Sequence, residues 1–154
     1  MVPPRGVADL TPTSPVSVRT ILAPIDDSPS SRNAVRLASQ MAHAFGARLT
    51  VLHVVGLTEV PVLMGEEDAT GPVEQGQILL AEAVRIARSL GVEPEVRLAR
   101  GHVADQILRA AARARPDLIV MGTRGYRGTR AVLMGSVSRA VSNRARTSVV
   151  LVRA

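Results

Sequence analysis

Residues 117–138 read DLIVMGTRGYRGTRAVLMGSVS, from Asp117 to Ser138. Asp117 to Gly122 is a short apolar run of the composition and length of a buried strand. A loop of glycine and arginine follows, and helical spacing resumes from about Ser136 to Arg146. A buried strand that breaks into glycine and then opens a helix is one half of an alternating α/β pattern.

The same alternation extends outward in both directions. Upstream, residues 102–114 keep helical spacing through Ala104, Ile107, Leu108 and Ala111 until Pro116, and Glu95 to Ala99 alternates like a strand nearer a sheet edge. A helix from about Val73 to Leu90 puts Leu79, Ala83, Ile86 and Leu90 on one face, with Gly91 as its stop. Residues 56–70 mix glycine, proline and acids with weak periodicity, as a loop does. Arg48 to Val55 is rich in β-branched residues and reads as a strand, as does Arg19 to Ile25. Between these two, Ser28 suits a helix N-cap and Pro29 the first helical position; Ala34, Ala38, Met41 and Phe45 then follow at helical spacing up to Gly46. Downstream, Ser148 to Val152 is a closing strand.

This order predicts an α/β fold: a three-layer α/β/α sandwich, doubly wound and Rossmann-like, around a five-stranded parallel sheet of order 3-2-1-4-5. Residues 1–18 hold four of the ten prolines without sustained periodicity and are expected to be a flexible tail, with one domain over residues 19–154. On such sheets ligands bind beyond the carboxyl ends of the strands, where the strand order reverses.

Composition removes several chemistries. All 19 basic residues of the 154 are arginine, against 13 acids, giving a net charge of +6. Without lysine there is neither Schiff-base catalysis nor a phosphate loop built on a GK[ST] lysine. The absence of cysteine removes disulfides, thiolate nucleophiles and cysteine-ligated zinc, and three histidines are too few for a histidine-rich metal cage. Phe45 and Tyr126 are the only aromatics, which argues against base stacking on single strands, and the dispersed arginines read as a solvated surface. No apolar run has the length of a membrane span and the N-terminus lacks the apolar stretch of a secretory signal, so a cytoplasmic protein is expected.

Chemistry concentrates where the opening stretch turns into helix. A polyphosphate needs backbone N–H groups at close range, which glycine permits, and a helix N-terminus, whose free N–H groups attract anions. Ser136 and Ser138 add hydroxyls there. Glycines that only shape turns, with Ser136 only capping a helix, are the plainer alternative. At the other candidate strand end, Asp26 is a sound acceptor for ribose hydroxyls and also a rival to Ser28 as helix cap. His53, mid-strand on an apolar stretch, reads as a hydrogen-bonded structural histidine, and His102 as a helix-start residue.

The spacing Gly122, two residues, Gly125, nine residues, Gly135, Ser136 resembles the nucleotide-binding pattern of the universal stress protein family in its ATP-binding branch. Ile21 to Asp26, Leu52 to Val55, Asp117 to Gly122 and Thr147 to Val152 look like that family's first, second, fourth and fifth strands, and the resemblance spans residues 18–154. It implies that Asp26 reaches the ribose, with Pro24, Ile25 and Val54 near the adenine and Met121 and Gly122 beneath the nucleoside. Gly125, Gly135, Ser136, Val137 and Ser138 would surround the phosphates. Asp27 departs from the small residue common in relatives and would repel phosphates unless it meets a cation or solvent; Arg124, Arg127 and Arg130 are candidates to offset it.

The function this implies is an ATP-binding regulator of stress tolerance, with Mg²⁺ accompanying the nucleotide and no dedicated catalytic set. GxSxG, GxGxxG and a Walker lysine are all absent. Two other classes stay open: a stress protein that only interacts with partners and leaves nucleotide unbound, and a slow ATP-hydrolysing enzyme. Ser148 to Val152 is nearly uncharged and would lie at a sheet edge, so a homodimer through antiparallel pairing of this strand is expected, an arrangement that the resemblance also implies.

Overall fold

Strands covered on both faces need apolar residues at successive positions, and two segments of this chain satisfy that most fully. They are β1 (Thr20–Pro24) and β4 (Leu118–Gly122), which pair with each other at the centre of the sheet through Ile21 with Leu118 and Leu22 with Ile119. The computed structural model describes residues 17–57, 70–123 and 134–154. Most of the expected tail, part of the expected loop at 56–70, and Arg124, Gly125, Arg127 and Arg130 therefore lie outside the described residues.

β2 (Arg48–Gly56) pairs with β1 on its other side, β3 (Glu95–Gly101) lies beyond β2, and β5 (Ser148–Val152) lies beyond β4. All pairs are parallel and the order is β3-β2-β1-β4-β5, the order expected for the inferred fold. Ile21, Ala23, Ile25, Leu49, Val51 and Val120 pack with α1 (Pro29–Phe45) and α2 (Thr70–Ser89) on one face. Leu22, Leu52, Val54, Ile119 and Met121 pack with α3 (Val103–Ala114) and α4 (Ser136–Arg144) on the other. Each fully buried valine, leucine or isoleucine contributes about 1.5–3 kcal/mol, so these two clusters are the main source of stability.

Local signals set the ends of the helices. Ser28 caps α1, accepting the Ser31 N–H at 3.1 Å, Pro29 sits in the first turn, and Gly46 ends the helix at φ +64°. Arg115 ends α3 in the left-handed region, and the following Pro116 disfavours continued helix there. α2 starts at Thr70, three residues before the expected boundary, because Pro72 is tolerated in a first turn, where no N–H is needed. Phe45 departs from the expected buried stripe. It is 55% exposed, because the core under α1 stops at Ala42 and Met41 and Phe45 is the last helical residue.

Asp117 ties the starts of the two central strands together. Its Oδ2 accepts the N–H groups of Arg19 and Thr20 at 2.8 and 2.9 Å and the Thr20 hydroxyl at 3.1 Å. These backbone donors, Arg19 first, hold its carboxyl below the ordinary aspartate value. Among the described residues no helix is long and apolar enough to cross a membrane.

Candidate functional site

In the order β3-β2-β1-β4-β5 the chain winds away from β1 in one direction and from β4 in the other, so the strand order reverses between these two. Their carboxyl ends therefore lie side by side, and α1 starts directly against β4. A Cβ placed on Gly122 would come within 2.5 Å of the Ser30 hydroxyl, 2.8 Å of the Ser31 nitrogen and 2.9 Å of the Ser30 carbonyl carbon. The missing side chain of Gly122 is what lets the N-terminus of α1 close on the sheet.

Past β1 the backbone turns on a web of short polar contacts. The Asp26 carboxylate oxygen Oδ1 accepts the Ser28 N–H at 3.0 Å and also the Ser28 hydroxyl. Ser31 donates its hydroxyl to the Asp26 carbonyl at 2.7 Å and accepts the Asp26 N–H at 3.2 Å. Ser28, Ser30 and Ser31 are all buried, whereas Asp26 stays half-exposed. The competition between Asp26 and Ser28 for the helix cap is thus resolved in favour of Ser28. Asp26 orients the cap through one oxygen, and its other oxygen has no partner among the described residues.

Past β4 the ending is different. Thr123 donates its N–H to the Val152 carbonyl at 2.9 Å, and its own carbonyl accepts the Gly135 N–H at 2.6 Å and the Ser138 hydroxyl at 2.8 Å. The residues before and after the undescribed stretch 124–133 are pinned together by these bonds. Gly135 is the N-cap of α4, with ordinary extended angles of φ −70° and ψ 161°; among the described residues no side chain caps this helix, and no acid lies in its first turn. The first intrahelical bond runs from the Arg139 N–H to the Gly135 carbonyl at 3.0 Å. The N–H groups of Ser136, Val137 and Ser138 precede it and have no partner within the helix. Ser136 is exposed and Val137 half-buried. Ser138 is buried, and its hydroxyl proton is committed to Thr123 and to the Gly135 carbonyl at 3.0 Å.

The apolar residues named from the sequence divide between the two faces. Val54 and Met121, 7% and 5% exposed, lie in the cluster under α3 and α4, and Pro24 is in register with Leu52 of that cluster. Ile25 belongs to the opposite cluster under α1 and α2. Both its backbone groups are engaged, the N–H with the Leu52 carbonyl at 2.9 Å and the carbonyl with His53 Nδ1 at 2.8 Å. His53 is buried and has the structural role its strand position suggests, with its ring packed so tightly that a Cβ on Gly76 of α2 would lie 2.6 Å from it. His102 is the N-cap of α3 and makes no side-chain cap bond.

Asp27 meets a cation. Arg32, one turn into α1, donates through Nη2 to Asp27 Oδ1 at 2.6 Å and through Nε to Glu82 Oε1 of α2 at 2.8 Å. The two acceptors, Glu82 first, raise the Arg32 pKa above its ordinary value. Local patterning does not show this bridge, because Arg32 and Glu82 lie fifty positions apart. Thr123 was equally missed; its only sequence signal is its place between Gly122 and the arginine-rich loop. Among the described residues no group of three or more His, Asp or Glu is placed to hold a metal ion.

Comparison with known proteins agrees with this fold. The model of the universal stress protein family matches residues 17–153. A universal stress protein of Thermus aquaticus is 37% identical over 140 residues, covering 88% of this chain and 98% of the relative. The universal stress protein YxiE of Bacillus subtilis is 32% identical over 144 residues, covering 86% and 97%. Among solved structures, a universal stress protein in complex with cAMP superimposes with a TM-score of 0.70 at 27% identity, covering 88% of this chain and 97% of the other.

Proposed function

The chain belongs to the universal stress protein family, and from that premise we propose that it binds an adenine nucleotide, ATP with Mg²⁺, between the ends of β1 and β4. In this role it is a nucleotide-responsive regulator of stress tolerance. The observation that carries the proposal is the start of α4, a nine-residue helix whose first turn has no acid and, among the described residues, no capping side chain. A helix end of that kind attracts anions, by about 0.3–1 kcal/mol for the dipole alone, and its N–H groups add directed hydrogen bonds. The similar protein in complex with cAMP supports an adenine nucleotide as the class of ligand.

In this assignment the phosphates take the N–H groups of Ser136, Val137 and Ser138 beside Gly135 and Gly125. Gly122 and Met121 lie beneath the nucleoside, Pro24 and Val54 supply apolar surface to the adenine, and the free oxygen of Asp26 accepts from the ribose. Ile25 contributes by fixing the backbone that carries Asp26, and Arg124 adds positive charge near the phosphates. Mg²⁺ arrives on the phosphates, as this hard cation does where the protein supplies few carboxylates. Isothermal titration of the purified protein with ATP and Mg²⁺ is expected to give a Kd of roughly micromolar order, with ADP weaker. No heat and no thermal shift at millimolar ATP would reject the assignment.

We propose further that β5 pairs with its copy in a second chain. The two sheet edges differ in charge: β3 presents Glu95, Arg97 and Arg100, whereas Ser148 to Val152 presents none. Charged edges resist pairing and uncharged ones invite it. Val150→Pro removes a ladder donor, and light scattering should then show the loss of a dimer; a monomeric wild-type protein at tens of micromolar would reject the pairing.

A further inference from the structure

We propose that Arg32 is a positioning residue for the nucleotide site: by holding the Asp27 carboxylate toward α2, it lets a polyanion approach the end of β1. The inference rests on the nucleotide assignment above. Asp26 and Asp27 are consecutive, with Cα atoms about 3.8 Å apart, so a ligand bonded to Asp26 lies on the order of one Debye length, about 8 Å at physiological salt, from the Asp27 backbone. Two adjacent carboxylates are a poor neighbourhood for phosphates, and each is handled differently. Asp26 is satisfied on one oxygen by the N–H and hydroxyl of Ser28, neutral donors that leave its charge in place for sugar hydroxyls. Asp27, 46% exposed, is ion-paired with Arg32 at 2.6 Å, a cation it shares with Glu82.

The bridge has a direction. Arg32 is only 30% exposed and its Nε is fixed on Glu82, itself 27% exposed, at 2.8 Å. Its guanidinium is therefore held over the α1/α2 face, where Ile25 is also buried, and Asp27 is drawn to that side. The proposed phosphate donors belong to α4, on the opposite layer. A planar guanidinium whose fork is pinned at Nε and Nη2 imposes this geometry in a way a lysine ammonium does not.

Arg32→Met keeps the apolar stem and removes the charge, and is expected to weaken ATP binding roughly threefold to tenfold, the scale of one screened unit charge against a polyphosphate. Asp27→Asn added to Arg32→Met should restore affinity to within about twofold of wild type, as expected for directly coupled residues. The Arg32→Met deficit should also shrink as salt rises from low to physiological, which a purely structural defect does not do. Arg32→Gln serves as a second variant should Arg32→Met unfold, with circular dichroism reporting the fold of each. ATP affinity unchanged in both variants, failure of Asp27→Asn to restore it, or restoration by Glu82→Gln instead would overturn the role given to Arg32. A wild-type protein that binds no ATP would overturn the nucleotide assignment itself, and this inference with it.

Discussion

At the N-terminus of α1, Ser28 caps the helix, Asp26 holds Ser28, Ser31 bonds back to Asp26, and the buried Ser30 and Ser31 close against Gly122. At the N-terminus of α4, one strand away, Gly135 caps nothing with a side chain, and the hydroxyl of Ser138 is turned back to Thr123. Both helices start at the same reversal of strand order, so their different finish is not a matter of position in the fold. A serine cap satisfies the first N–H groups of a helix from within the chain, whereas a glycine cap leaves them for something else. The proposed phosphate site is thus the helix start that its own cap residue leaves unfilled.

The comparison can be strained at each end. The largest effect on stability is expected at Gly122, where alanine would press on the backbone of Ser30 and Ser31. Gly122→Ala should lower unfolding free energy by about 1–3 kcal/mol, the usual cost of overpacking, as measured by urea denaturation. Wild-type stability would mean that the sealed start of α1 can retreat from β4. Ser138→Ala should cost about 1 kcal/mol, the net worth of a typical hydrogen bond. The cost is no larger because the Thr123 carbonyl keeps the Gly135 N–H. A greater loss would make the hydroxyl a principal clasp of the loop.

The smallest effect concerns acid. The Asp117 carboxyl titrates below its ordinary value in the folded chain because it accepts the Arg19 and Thr20 N–H groups. The unfolded chain therefore takes up the proton first as pH falls. The stabilisation is complete above the ordinary aspartate range and is lost as pH drops through the folded value. Asp117→Asn should flatten this acid limb of the stability curve slightly while leaving neutral-pH ATP affinity alone, since Asp117 lies at the opposite end of the strands from the start of α4. An unchanged acid limb would assign acid sensitivity to other carboxylates.

Much of this arrangement was legible in local sequence. Apolar runs marked the strands and their alternation with helices, Ser28 and Pro29 marked the start of α1, and Gly46 marked its end. These signals act over a few residues, so a single sequence displays them. Gly122 was visible as a glycine, but the reason the fold needs one is a contact with Ser30 and Ser31, more than ninety positions away. The Asp27, Arg32 and Glu82 bridge and the clasp at Thr123 were hidden for the same cause: each depends on which elements the fold brings together, and neither periodicity nor composition records that. Phe45 fell on the apolar stripe yet lies past the edge of the core, because periodicity reports a face without saying where the neighbouring layer ends.

The proposed phosphate site at the start of α4 can be closed deliberately. Gly135 has φ and ψ that any residue adopts, so Gly135→Asp should fold, cap the helix and gain a few tenths of a kcal/mol. It also sets a carboxylate where the phosphates are proposed to sit. ATP titration of Gly135→Asp beside wild type, with melting temperatures of both, therefore separates stability from binding. The expected result is a melting temperature equal to or above wild type together with an ATP affinity at least about tenfold weaker, the scale of a charge-assisted bond lost and a repulsion gained. Equal ATP affinity in the two folded proteins would contradict the assignment of the phosphates to the start of α4.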